Sequence, residues 1–147
     1  MPHETGRTAL DMISGPANML REHATQCRII LSHAGGDLPF LIDRAAGFFS
    51  SGPDGIRLDK TRAEVLEDAR SFYYDTALST STMHVAALQA LLGSEAMDHV
   101  LFGTDFPPGG IAAIGEFTQQ LEKNLDVGAL RRNAFKLFPR LQEKADN

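Results

Sequence analysis

The chain has 147 residues, 43% of them hydrophobic, which suits one globular domain of ordinary size. Its net charge of -5 leaves no basic stripe to hold phosphates, so neither nucleic acid nor an anionic membrane surface is an expected partner. Cys27 is the single cysteine, which excludes a disulfide framework and fits a cytoplasmic setting, and no apolar run approaches the length of a membrane span.

Residues 4–25 read as helix, interrupted at Gly15-Pro16, a pair that bends or breaks such an element. "CRIILSH" (27–33) reads as a strand, β-branched at its centre and followed by Gly35-Gly36. "LPFLIDRAAGFF" (38–49) returns to helical spacing, and "SSGPDG" (50–55) is a loop by composition. "KTRAEVLEDAR" (60–70) reads as a helix, with Asp59 placed to cap it. "SFYYDTA" (71–77) is a second strand, and "STMHVAALQALLG" (81–93) a helix with glycine at its end. "HVLFGTD" (99–105) is the third strand. Two further helices follow at 109–124 and 127–138, the latter behind Asp126 as its cap.

Strands alternating with helices of this length imply βαβ units and a parallel sheet, an α/β fold. The strands are nearly continuous in apolar residues, as expected where both faces are covered. Each reaches a polar residue at its carboxyl end: His33, Asp75 and Asp105. In α/β proteins ligands bind at that end. The third strand stops there because Pro107 and Pro108 cannot extend it.

"ILSHAGGDLPFLIDR", "FYYDTALS", "LFGTDFP" and "RRNAFKLFPRL" stand in an order and near a spacing that resembles the metal-dependent amidohydrolase superfamily. The closest resemblance is to its non-oxidative decarboxylases, the branch of aminocarboxymuconate-semialdehyde decarboxylase and 6-methylsalicylate decarboxylase. The similarity runs from about Pro2 to Leu141. It implies a (β/α)8 TIM barrel, of which strands 27–33, 71–77 and 99–105 with their helices are the C-terminal part. It also implies that His33, with Gly35 and Gly36, ends the sixth strand, and that Asp105, Phe106 and Pro107 end the eighth. Asp105 is then a ligand of a divalent catalytic metal, often zinc, and His33 lies beside that metal as an acid or base. Arg44, in the helix after His33, is implied to meet a substrate carboxylate, for which its planar fork is suited.

The departure from the family is equally specific. Members carry a His-x-His pair on strand one and a histidine on strand five. The histidines here are His3, His23, His33, His84 and His99, no two of them one residue apart. A (β/α)8 barrel takes roughly 250 residues and eight strands. Residues 1–147 are therefore expected to be a single partial domain, completed by a missing N-terminal half or by another copy in a homo-oligomer. Catalytic zinc usually takes three protein ligands and a water; this chain offers Asp105, with His33 nearby.

Plainer readings stand beside these. Asp105 could cap the helix that follows it. His33 could be a hydrogen-bonded structural histidine, and Arg44 a solvated charge or a partner near Asp43. Asp75 is expected to hold "TALST" through side-chain-to-backbone bonds. Asn133 is expected to tie the last helix to a loop, and Ala134, Leu137, Phe138 and Leu141 to form a core stripe. Three functions remain open. One is decarboxylation of a small hydroxyaryl or unsaturated carboxylic acid. The second is metal-dependent hydrolysis, and the third a truncated chain with no catalysis of its own.

Overall fold

Apolar residues four apart give the helices their packing faces. Ala9 and Ile13 do this in α1 (Pro2–Ser14), and Leu38, Ile42 and Ala46 in α2 (Leu38–Ser51). Val65 and Ala69 do so in α3 (Arg62–Arg70), Leu88 and Leu92 in α4 (Thr82–Leu92). The computed structural model describes residues 2–14, 28–54 and 58–145. The second part of the helix expected over 4–25, with its Gly15-Pro16 break, lies outside those residues, as do His23 and Cys27.

The strands are β1 (Ile30–Leu31), β2 (Tyr73–Asp75) and β3 (Val100–Leu101). They lie in sequence order in one sheet, each neighbouring pair parallel. Ile30 is level with Tyr73, Tyr74 with Val100, and Asp75 with Leu101. The expected parallel α/β sheet is therefore present, but its strands are shorter than the stretches 27–33, 71–77 and 99–105. The reason is visible at their carboxyl ends. There the ladder gives way to side-chain acceptors: the backbone N–H groups of His33 and Ala77 both donate to the Asp75 carboxylate.

Tyr74 and Val100 at the sheet centre are fully buried, with Phe72 just before β2. Leu121 of α5 (Ile111–Asn124) and Leu130 of α6 (Val127–Leu137) close over the same core. The Tyr74 hydroxyl donates to the Ala69 carbonyl at 2.5 Å, and burial pushes this phenol well above its usual pKa. Lys60 ties α1 to α3: its Nζ lies 2.8 Å from the Ile13 carbonyl and 2.8 Å from Asp68 Oδ2.

The caps correct one expectation and bear out others. Thr61, not Asp59, caps α3, in a reciprocal capping box with Glu64. Ser81 caps α4, Gly93 ends it at a φ of +85°, and Asp126 caps α6. The expected core stripe is corrected too. Leu130, Asn133 and Leu137 turn inward, while Phe138 and Leu141 are exposed. Helical geometry stops at Leu137, and Phe138 (φ -127°, ψ 75°) leaves the register before a separate short helix, α7 (Arg140–Ala145). Asn133 has the expected structural role, but it ties α6 to the short 3-10 helix before β3 and to β3 itself rather than to a loop, donating through Nδ2 to the carbonyls of Met97 and Val100.

Candidate active site

Asp75, at the end of β2, organises the carboxyl edge of the sheet. One of its oxygens, Oδ1, accepts from the backbone of His33 and of Ala77, each at 3.0 Å. The segment after β3 comes equally close: a Cβ on Gly103 would lie 3.0 Å from Asp75 Cγ. The expected structural role of Asp75 is thus met, and it reaches across to His33 as well.

This clamp holds strained backbone. Among the described residues the non-glycine positions with positive φ are His33, Ala34, Leu78 and Asp105, at +56°, +55°, +52° and +57°. Such conformations cost on the order of 1–3 kcal/mol each and persist where the surroundings over-determine them. Three of the four, His33, Leu78 and Asp105, line one cavity of about 520 Å³ at the carboxyl ends of the strands. Sequence alone names two of these lining residues as site candidates, and the structure brings them together.

His33 Nδ1 lies 3.0 Å from the Ala77 carbonyl oxygen. A carbonyl can only accept, so Nδ1 carries the proton and Nε2 is left as the basic nitrogen of the neutral ring. Asp105 does not cap the following helix. The N-cap of α5 is Gly110, with no side-chain cap. Among the described residues the Asp105 carboxylate takes no hydrogen bond. The helix-capping alternative is thereby removed, and a free carboxylate stands in the same cavity as a free imidazole nitrogen.

Arg44 is placed elsewhere. It is exposed on α2, its guanidinium 6.0 Å from the Phe48 ring, and it is not among the cavity-lining residues. Its neighbour Asp43 pairs with Arg62. His99 stacks on Tyr73 and bonds the Phe72 carbonyl, a structural role. Sequence reasoning passed over His84, which lines the cavity from the first turn of α4. Its Nδ1 is 2.9 Å from the Ser81 hydroxyl, and burial lowers its pKa from the ordinary value of 6.5. The Ser-x-x-His spacing was a usable signal, since a capping serine three residues before a histidine brings the two side chains together.

Among the described residues no three His, Cys, Asp or Glu side chains converge as a metal-ligand set.

No protein-family model matches the chain. It is 43% identical over 154 residues to the 6-methylsalicylic acid decarboxylase acuB of Aspergillus aculeatus, covering 99% of this chain and 45% of that protein. It is 43% identical to the 6-methylsalicylic acid decarboxylase of Penicillium expansum, covering 96% of this chain and 43% of the relative. The chain therefore spans less than half the length of these relatives. A solved dihydroxybenzoic acid decarboxylase from a Polaromonas species, holding manganese and the inhibitor 2-nitroresorcinol, superposes with a TM-score of 0.68 at 22% identity. The 5-carboxyvanillate decarboxylase LigW of Sphingomonas paucimobilis does so with a TM-score of 0.65, also at 22% identity. Each superposition covers 94% of this chain and 40% of the other. The chain thus carries, in its parallel sheet and flanking helices, the fold of part of these decarboxylases.

Proposed function

We propose that the chain supplies the last three βα units of a (β/α)8 barrel in the amidohydrolase superfamily. The activity of that barrel is metal-dependent, non-oxidative decarboxylation of a small hydroxyaryl carboxylic acid. The observation that carries this reading is the pairing of two free groups in one cavity, the Asp105 carboxylate and the His33 Nε2. It is supported by the 43% identity to two 6-methylsalicylic acid decarboxylases.

Loss of CO2 breaks a carbon–carbon bond and leaves the bonding pair on the ring carbon, which then takes one proton. His33 can manage that proton. Its Nδ1–H is held by Ala77, so Nε2 is aimed and available to take up a proton and deliver it. Asp105 would be one ligand of a divalent metal, with the other ligands contributed from outside the described residues. When bound, such a metal supplies Lewis acidity to the oxygen beside the carboxylate. Zinc and manganese both suit a carboxylate–imidazole environment. Arg44 has the fork for a substrate carboxylate, although it stands outside the cavity lining.

The test uses an assembled protein: this chain joined to the portion of the Penicillium expansum relative that it does not cover. It should release CO2 from 6-methylsalicylate. His33→Ala should keep its metal and lose turnover by on the order of 100- to 10,000-fold, the usual weight of general acid–base catalysis. Arg44→Lys discriminates the two readings of that residue: weaker substrate binding would bring its fork to the substrate in the assembled barrel, and unchanged binding would leave it the solvated charge that its exposed place on α2 suggests. Full activity in His33→Ala would return that residue to a structural role. Hydrolysis of an ester or amide without CO2 release would replace the decarboxylase with a hydrolase using the same residues.

A further inference from the structure

The cavity holds a second imidazole whose hydrogen-bonding state is the reverse of the first. The Ser81 hydroxyl accepts from the backbone N–H of His84, as the cap of α4, and lies 2.9 Å from His84 Nδ1. A hydroxyl has one proton to give. Its oxygen has two lone pairs and could accept from the backbone and from the ring alike, but among the described residues the Ser81 proton has no acceptor other than Nδ1, so it is assigned there. Nδ1 is then the acceptor, and the ring hydrogen sits on Nε2. His33 is arranged the other way, with Nδ1–H donating to Ala77 and Nε2 bare. One cavity therefore contains an accepting imidazole nitrogen and a donating one.

We propose that His84 is a substrate-binding residue whose Nε2–H donates to a carboxylate oxygen of an ortho-hydroxyaryl acid, an assignment that rests on the decarboxylase reading above. The cavity supports this on three further grounds. Its wall is mixed, with Phe40 and Leu78 offering apolar surface for a ring. Its Asp37 carboxylate repels an acid substrate, so a donor is needed to hold the substrate carboxylate. His84 is half-buried and its pKa is lowered by that burial, so near neutral pH it donates as an uncharged ring. A donor–acceptor pair also matches a molecule that carries a carboxylate beside a hydroxyl, and discriminates against one that lacks either group.

The experiment is nuclear magnetic resonance on the 147-residue chain, reading the imidazole nitrogens, with salicylate, benzoate and phenol as probes. The free protein should show His84 protonated at Nε2 and His33 protonated at Nδ1. Salicylate should shift the nitrogens of both rings. Benzoate should shift His84, and phenol should leave His84 Nε2 unmoved. His84→Phe should weaken salicylate by about tenfold or more, the scale of one hydrogen bond to a charged group, while His84→Gln, which keeps a donor, should retain most of the affinity. A His84 ring protonated at Nδ1, or unchanged affinity in His84→Phe, would overturn the assignment. If salicylate moves His33 but not His84, the assignment falls and the decarboxylase reading stands. If salicylate moves neither, the His84 assignment falls, while the decarboxylase reading is decided separately by CO2 release from the assembled protein.

Discussion

Asp75 shows how much one side chain can decide. Its single oxygen Oδ1 satisfies two backbone N–H groups, on His33 and Ala77, and so fixes the backbone on which the basic imidazole is mounted. Asp75→Ala should cost about 3 kcal/mol, since two bonds to a charged acceptor are lost and two N–H groups are left unpaired. Urea unfolding measures this, and a loss below about 1 kcal/mol would mean that water replaces the carboxylate without strain. The role of Asp75 was legible in the sequence because an aspartate at a strand end followed by Thr-Ala has a short list of local partners. The reach to His33 was not, since it joins residues 42 apart in the chain. Asp105 was legible as a site residue, but the reason capping fails was not. Only the fold shows Gly110, five residues on, at the head of α5. The Ser-x-x-His spacing marks the local Ser81–His84 contact, but that His84 lines the same cavity as His33 and Asp105 is not encoded by any local spacing.

Among the elements, α1, α3 and the connection before α3 are locked by one buried cation. Lys60 meets Asp68 and the Ile13 carbonyl, with side chains 4% and 10% exposed for the ion pair. Lys60→Met should destabilise by about 3–5 kcal/mol, because the Asp68 charge is left buried and unpaired. Lys60→Met combined with Asp68→Leu should recover much of that loss. Denaturation midpoints of the two variants test the point, and equal losses in both would mean that packing, not charge, sets the cost. The helix starts were largely readable from capping residues, as Ser81 and Asp126 illustrate. Thr61 took the cap from Asp59 because Glu64, three residues on, completes a reciprocal pair that Asp59 cannot form. The strand lengths were overestimated for a different reason. The expected stretches run on to His33, Ala77 and Asp105, whereas the pairing stops at Leu31, Asp75 and Leu101, where the chain turns to meet Asp75 and takes left-handed backbone at His33 and Asp105.

At the scale of the whole molecule, three parallel strands in sequence order leave β1 and β3 each with one neighbour among the described residues. Ile30 on β1 and Phe102 just after β3 are exposed, at 39% and 46%. Open strand edges with apolar flanks invite pairing, and the curated relatives extend well beyond the part matched here. The order and direction of the strands were legible because each apolar run reaches a polar carboxyl end. How the sheet is continued was not, since that depends on residues beyond these strands. On this account the 147-residue chain by itself releases no CO2 and holds no stoichiometric metal, whereas the assembled protein does both. The decisive measurement is CO2 release from 6-methylsalicylate by the assembled protein, with metal content read on the same sample, for the parent and for Asp105→Ala. The account predicts metal-dependent CO2 release in the parent, and loss of both metal and turnover in Asp105→Ala. Retention of full metal and full CO2 release in Asp105→Ala would contradict it.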